Sequence, residues 1–187
     1  YNVNVNIIDM GSASSYSISN NLNGSTTSAT GVGTWVAGPF TSGTPVTLTL
    51  NHNVDAACNA VTAPIVFYCP PANNECISAT PLTPGTSCVF TPGTTLGATQ
   101  STAALACDGF TGTANDDVWY SFVATSAGHT ITVDGDGTFD AVVQLLSGAC
   151  NGTPVDCEDN TVGGAVESFT VYGLSIGETY YVKVYDY

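Results

Sequence analysis

The sequence predicts an all-β protein made of two tandem antiparallel β-sandwiches stapled by disulfides. Three observations predict it. Apolar and polar residues alternate in one segment after another, as they do in half-buried strands. Turn clusters separate those segments. Seven cysteines occur in 187 residues without a single CxxC pair, a pattern that points to disulfides in an oxidising compartment rather than to a zinc site.

Taken in order, Tyr1–Ile7, Thr47–Leu50, His129–Val133 and Tyr181–Tyr185 carry the clearest strand alternation. Between such segments lie Asn23-Gly24, Gly38-Pro39, Ser42-Gly43, Pro84-Gly85, Pro92-Gly93, Asp134-Gly135 and Ser147-Gly148. Each is a turn-forming pair. No long segment shows helical periodicity. Short strands at this spacing fit sandwiches. The run Cys69-Pro70-Pro71-Ala72-Asn73-Asn74-Glu75-Cys76 ends any strand and stiffens the connection. It predicts domains at 1–69 and 70–187. The first is close to the lower size limit for an independent core.

Charge narrows the function. Only 9% of residues are charged, and fifteen acids face one base, Lys183, for a net charge of −14. No basic stripe exists for a phosphate backbone, which excludes nucleic-acid binding. Anionic membrane surfaces repel such a chain. No apolar run is long enough to span a bilayer, so direct membrane insertion is not expected. Divalent cations are attracted. Tyr1 opens inside a strand pattern and the last seven residues form a strand with no closing turn, so the expectation is a piece of a longer protein.

Three acid-rich segments are candidate cation ligands. Asp134-Gly135-Asp136-Gly137-Thr138-Phe139-Asp140 places oxygen side chains at alternate positions, as calcium loops do. It is not an EF-hand, because Leu145 stands where the twelfth-position Glu belongs. The other two are Asp156–Asn160 and Asn115–Asp117. If the sandwich brings Asp117, Asp140 and Asp159 together, a shared Ca2+ would relieve their repulsion; as hairpin-turn or solvated loop acids they would need none.

Catalytic signals are weak. His52 and His129 are the only histidines, and no GxSxG elbow accompanies them. Carboxylate pairs lack an aromatic-rich cleft around them. The expectation is no enzyme and no catalytic residue. Trp35 and Trp119, with nine tyrosines, would serve either as core or as a sugar platform. Alternation puts Trp119 on the opposite face of its strand from Val118, Tyr120 and Phe122. Asn23 and Asn151 each begin an N-x-S/T glycosylation pattern.

The second half resembles a β-sandwich domain of secreted Bacteroidota proteins related to the pre-peptidase C-terminal (PPC) domains. The residues that carry the resemblance are Cys69–Cys76, Asn115–Phe122, Phe139-Asp140, Leu145–Cys150, Asp156–Asp159 and Gly173–Val184. The first half resembles the immunoglobulin-like modules that precede such domains, through Gly38–Thr47. The resemblance implies a jelly-roll or PPC-like sandwich after an Ig-like one, tandem repetition, type IX export and no catalysis. It also implies a further strand bearing a cysteine.

Sequence alone cannot fix disulfide connectivity. Resemblance and proximity together favour Cys88–Cys107, Cys150–Cys157 and Cys58–Cys69, and leave Cys76 unpaired or bonded to another module. The implied function is a structural or adhesive module of an extracellular bacterial surface protein, either a slice of a long tandem-repeat adhesin or a filament subunit. Its partners would be copies or neighbouring repeats of itself, or surface glycans. The alternative is a carbohydrate-binding accessory module of a secreted hydrolase.

Overall fold

The structure, a computed structural model, describes residues Tyr1–Tyr187. It is nearly all β, and the chain divides into two compact units, Tyr1–Cys69 and Pro70–Tyr187.

The first unit contains β1 (Val3–Ile7), β2 (Tyr16–Asn20), β3 (Thr26–Ala29), β4 (Gly33–Ala37), β5 (Leu48–His52) and β6 (Ala60–Val61). Strands β1 and β4 pair antiparallel, and a second sheet runs in the order β3-β2-β5-β6. The alternation of Val3, Val5 and Ile7 turns these residues inward while Asn4 and Asn6 face solvent. Their side chains meet Ile18, Ala29, Phe40 and Leu48 in one core. The turn at Asn23-Gly24 closes through Asn20, whose Oδ1 accepts the backbone N–H groups of Leu22 and Asn23.

The second unit contains β7 (Thr80–Pro81), β8 (Val118–Val123), β9 (Gly128–Asp134), β10 (Ala141–Ser147), β11 (Thr153–Glu158), β12 (Val166–Tyr172) and β13 (Thr179–Asp186). Five strands form a sheet in the order β11-β10-β13-β8-β7, and β9 pairs with β12 in the opposing layer. The core between the layers is built from Val118, Phe122, Val143, Leu145, Phe169 and Val182, among others.

The large sheet is covered on its other face as well. Ala141 through Leu146 are all buried, without alternation, which is the mark of a strand with protein on both sides. The second cover is the largely irregular stretch between Pro70 and Asp117. It packs in two patches: Cys107 and Ala114 on Val142 and Tyr185, and Cys76 on Trp119 and Leu146. An irregular layer has no hydrogen-bond ladder to hold it. Both disulfides do that work here: Cys76–Cys150 and Cys107–Cys157 each tie the cover to the β10–β11 hairpin.

This pairing corrects the connectivity expected from sequence. Cys150 lies in the β10–β11 turn, while Cys157 lies four residues up the strand from Thr153, about 13 Å at the rise of an extended chain. Cysteines whose Cα atoms stand more than about 7 Å apart cannot be bridged. Cys58 and Cys69 fail for the same reason. Cys58 adjoins Asn59, which caps the His52 end of β5, whereas the Cys69 N–H donates to Ser42 Oγ, in the segment that precedes the opposite end of that strand. Cys88 lies exposed while Cys107 is taken by Cys157, so Cys58, Cys69 and Cys88 are free thiols. Cys76 is not unpaired: its partner is Cys150, within the chain rather than on a further strand or in another module.

Candidate functional site

The acids expected to share a cation are divided by the fold. Asp117, wholly buried, forms an ion pair with Lys183, itself 1% exposed, at 3.2 Å. Its carboxylate also accepts the backbone N–H groups of Ser101 and Thr102. Lys183 Nζ completes its shell by donating to the carbonyls of Thr102 and Ala103, and it stands 5.1 Å from the Tyr185 ring centre. Burial pushes the Lys183 pKa down and Asp117 opposes that. Asp117 is therefore a structural counter-ion and is removed from the metal candidates. The partner that claims it is the only cationic side chain in the sequence, and it anchors the irregular cover to β13.

Asp140 and Asp159 do come together, and with two acids that the sequence reading missed. Asp159 follows β11 and its N–H donates to Asp108 Oδ2 at 3.1 Å. The Cys107–Cys157 disulfide holds that approach, from the residue before Asp108 and from two residues before Asp159. Glu167, on β12, is 1% exposed. One of its oxygens, Oε1, accepts from Thr161 N and Oγ1. The loop from Asp159 to Ala165 returns against the 135–140 loop, where Gly164 N donates to Phe139 O. Gly164 has φ +78°, and a Cβ there would run into the Gly137 carbonyl, so a glycine is required for the two loops to meet.

Three oxygens at this end are buried and make no hydrogen bond: Asp140 Oδ1, Asp159 Oδ2 and Glu167 Oε2. Burial first, then the charges of Asp140, Glu167 and Asp108, raise the Asp159 pKa. In this arrangement no three His, Cys, Asp or Glu side chains converge closely enough to hold a metal ion. Asp134 and Asp136, in contrast, are exposed at the loop outside. The Asp136 carbonyl accepts Phe139 N–H at 3.0 Å, which is turn chemistry.

The remaining sequence candidates fall into place as follows. His52 Nδ1 accepts the N–H groups of Val54 and Asp55; His129 Nε2 accepts those of Thr125 and Ser126. Both rings hold turns. Trp119 is fully buried and donates to Ser101 Oγ, while Trp35 is half-buried in the first core and donates to Gly31 O. Asn23 and Asn151 are exposed in turns.

One exposed face has an ordered character. The outer side of β9–β12 carries hydroxyl pairs, Thr130–Thr170 at 2.8 Å and Thr132–Ser168 at 2.9 Å. Tyr172, 78% exposed, lies against Gly128, where a Cβ would meet its ring at 3.1 Å. Concave sites are modest. A hollow of about 160 Å³ lies by Gln144 and Asp156, and one of about 440 Å³ lies between β1 and Ile65–Phe67.

Residues 72–187 match a family described as galactose binding domain-like and associated with type IX secretion. No curated protein and no solved structure shows significant similarity. The match spans more than half of the chain, and its two disulfides suit an oxidising setting; the protein belongs to the type IX secretion-associated galactose binding domain-like family, a secreted or cell-surface β-sandwich module.

Proposed function

We propose that this chain is a non-enzymatic adhesive module of a bacterial surface protein exported by the type IX route. The observation that carries the reading is the family membership of 72–187, joined in one chain to a second sandwich of Ig-like size. Support comes from the histidines, both spent on backbone turns, and from an outer surface with no cationic side chain. The module would act through its faces and strand edges, in contact with repeats of its own kind.

A second reading, glycan binding, is favoured by the β9–β12 face. A flat aromatic ring beside rows of hydroxyls suits the apolar face and the hydroxyls of a sugar, and the family description points the same way. Two measurements separate the readings. Sedimentation of the whole chain over a concentration series tests self-association. A glycan array, repeated with Tyr172→Ala, tests the face. Concentration-dependent association without glycan binding supports the adhesive reading. Glycan binding lost in Tyr172→Ala supports the second. A monomer silent on the array overturns both.

A further inference from the structure

We infer that the end of the second unit bounded by Asp108, Asp140, Asp159 and Glu167 is a divalent-cation site of calcium type. The acids alone would not carry this. What does is that Asp159 and Glu167, 6% and 1% exposed, each bury a carboxylate oxygen without any hydrogen-bond partner, and Asp140 does so beside them. A buried polar oxygen without a partner is expensive, and a charged one more so. Asp159 feels the charges of Asp140, Glu167 and Asp108, its backbone lies within hydrogen-bond reach of Asp108, and a cation drawn between these carboxylates would supply the partner that the three oxygens lack. Lys183 cannot serve, because Asp117 holds it.

The supporting contacts divide the work in a way that suits a metal. Thr161 occupies Glu167 Oε1 and leaves Oε2 free. The Asp159 backbone occupies one oxygen of Asp108. Asp140 N–H donates to Asp186, and its carbonyl accepts Tyr187 N–H, which fixes the backbone and frees the side chain. The carboxylates are thus positioned by groups other than the ones they would offer. Hard oxygen donors, three of them on loops and Glu167 on β12, suit the flexible oxygen coordination of calcium better than the strict octahedron of magnesium. The site differs from the one expected in the Asp134–Asp136 loop, whose acids are exposed.

The test is calorimetric titration of the whole, disulfide-intact chain with calcium chloride, and with magnesium chloride for comparison. The expected result is one calcium site with Kd on the order of 10⁻³ M or tighter, as in extracellular modules, and weaker magnesium binding. Asp159→Asn and Glu167→Gln should each weaken calcium at least tenfold. Asp108→Asn, at a left-handed φ of 49° that Asn accepts, supplies the same test in a variant with little reason to misfold. Asp134→Asn and Asp136→Asn should leave the affinity unchanged. No binding up to about 10 mM, tenfold beyond the weak end of that range, overturns the proposal. So does binding lost in Asp136→Asn but kept in Asp159→Asn, or magnesium bound as tightly as calcium.

Discussion

The two units arrive at the same kind of layered β structure by different chemistry. Tyr1–Cys69 has no disulfide and no ion pair; its core is aliphatic and aromatic, and its loops close through local side-chain acceptors such as Asn20, His52, Asn53, Asp9 and Asp55. Pro70–Tyr187 adds two covalent bridges and a buried Lys–Asp pair. The difference traces to the irregular cover. Regular strands supply their own hydrogen bonds, so the first unit needs only a hydrophobic core. A layer without a ladder must be fastened by side chains, and the second unit spends cysteines and its one lysine on that task.

Each unit holds one tryptophan, Trp35 or Trp119, so fluorescence of Trp35→Phe and Trp119→Phe backgrounds reports them separately. The largest expected effect is from reduction. Loops of 74 and 50 residues are closed by the two bridges, and losing each should cost the second unit roughly 4 kcal/mol. Denaturant midpoints for the first unit should not move; an equal shift in both would break the contrast. Next comes Lys183→Ala, which leaves Asp117 buried without its counter-ion and should destabilise the second unit by about 3–5 kcal/mol. Lys183→Met with Asp117→Leu should recover much of that loss. In the first unit, Leu48→Ala empties a fully buried site and should cost about 3 kcal/mol, seen only by Trp35. A smaller effect distinguishes the units at alkaline pH. The Tyr185 phenol is pushed up to about 12 by burial and by the charges of Asp159 and Asp117. A phenol with a raised folded pKa contributes stability that is intact below pH 10 and lost as pH climbs from there toward about 12. Ultraviolet difference titration should show Tyr185 ionising late, and Tyr185→Phe should remove that late step.

The strand pattern was legible because alternation is a local property. Val3, Val5 and Ile7 read correctly without any knowledge of their partners. Glu167 was legible in principle: it shares its parity with Phe169 and Val171, and all three are buried, so a carboxylate at that position was already marked as inward. Lys183 was harder, because β13 buries residues on both faces and alternation carries no information there. The cysteine pairing was not legible at all. Nearness along the chain argued for Cys150–Cys157, but a hairpin keeps its tip and its strands apart, and only the packing of the cover brings Cys107 to Cys157. Asp117 misled for a related reason: its partner is 66 positions away and invisible until β8 and β13 pair.

The burial of Lys183 also decides how the module meets proteases. Trypsin-like enzymes cut only after lysine or arginine, and this chain offers them a single bond, after Lys183, in a central strand hydrogen-bonded on both edges. Such an enzyme finds nothing to cleave until β13 leaves the sheet. Each cut therefore records one opening of the second unit, and the rate of cleavage becomes a clock for that event alone.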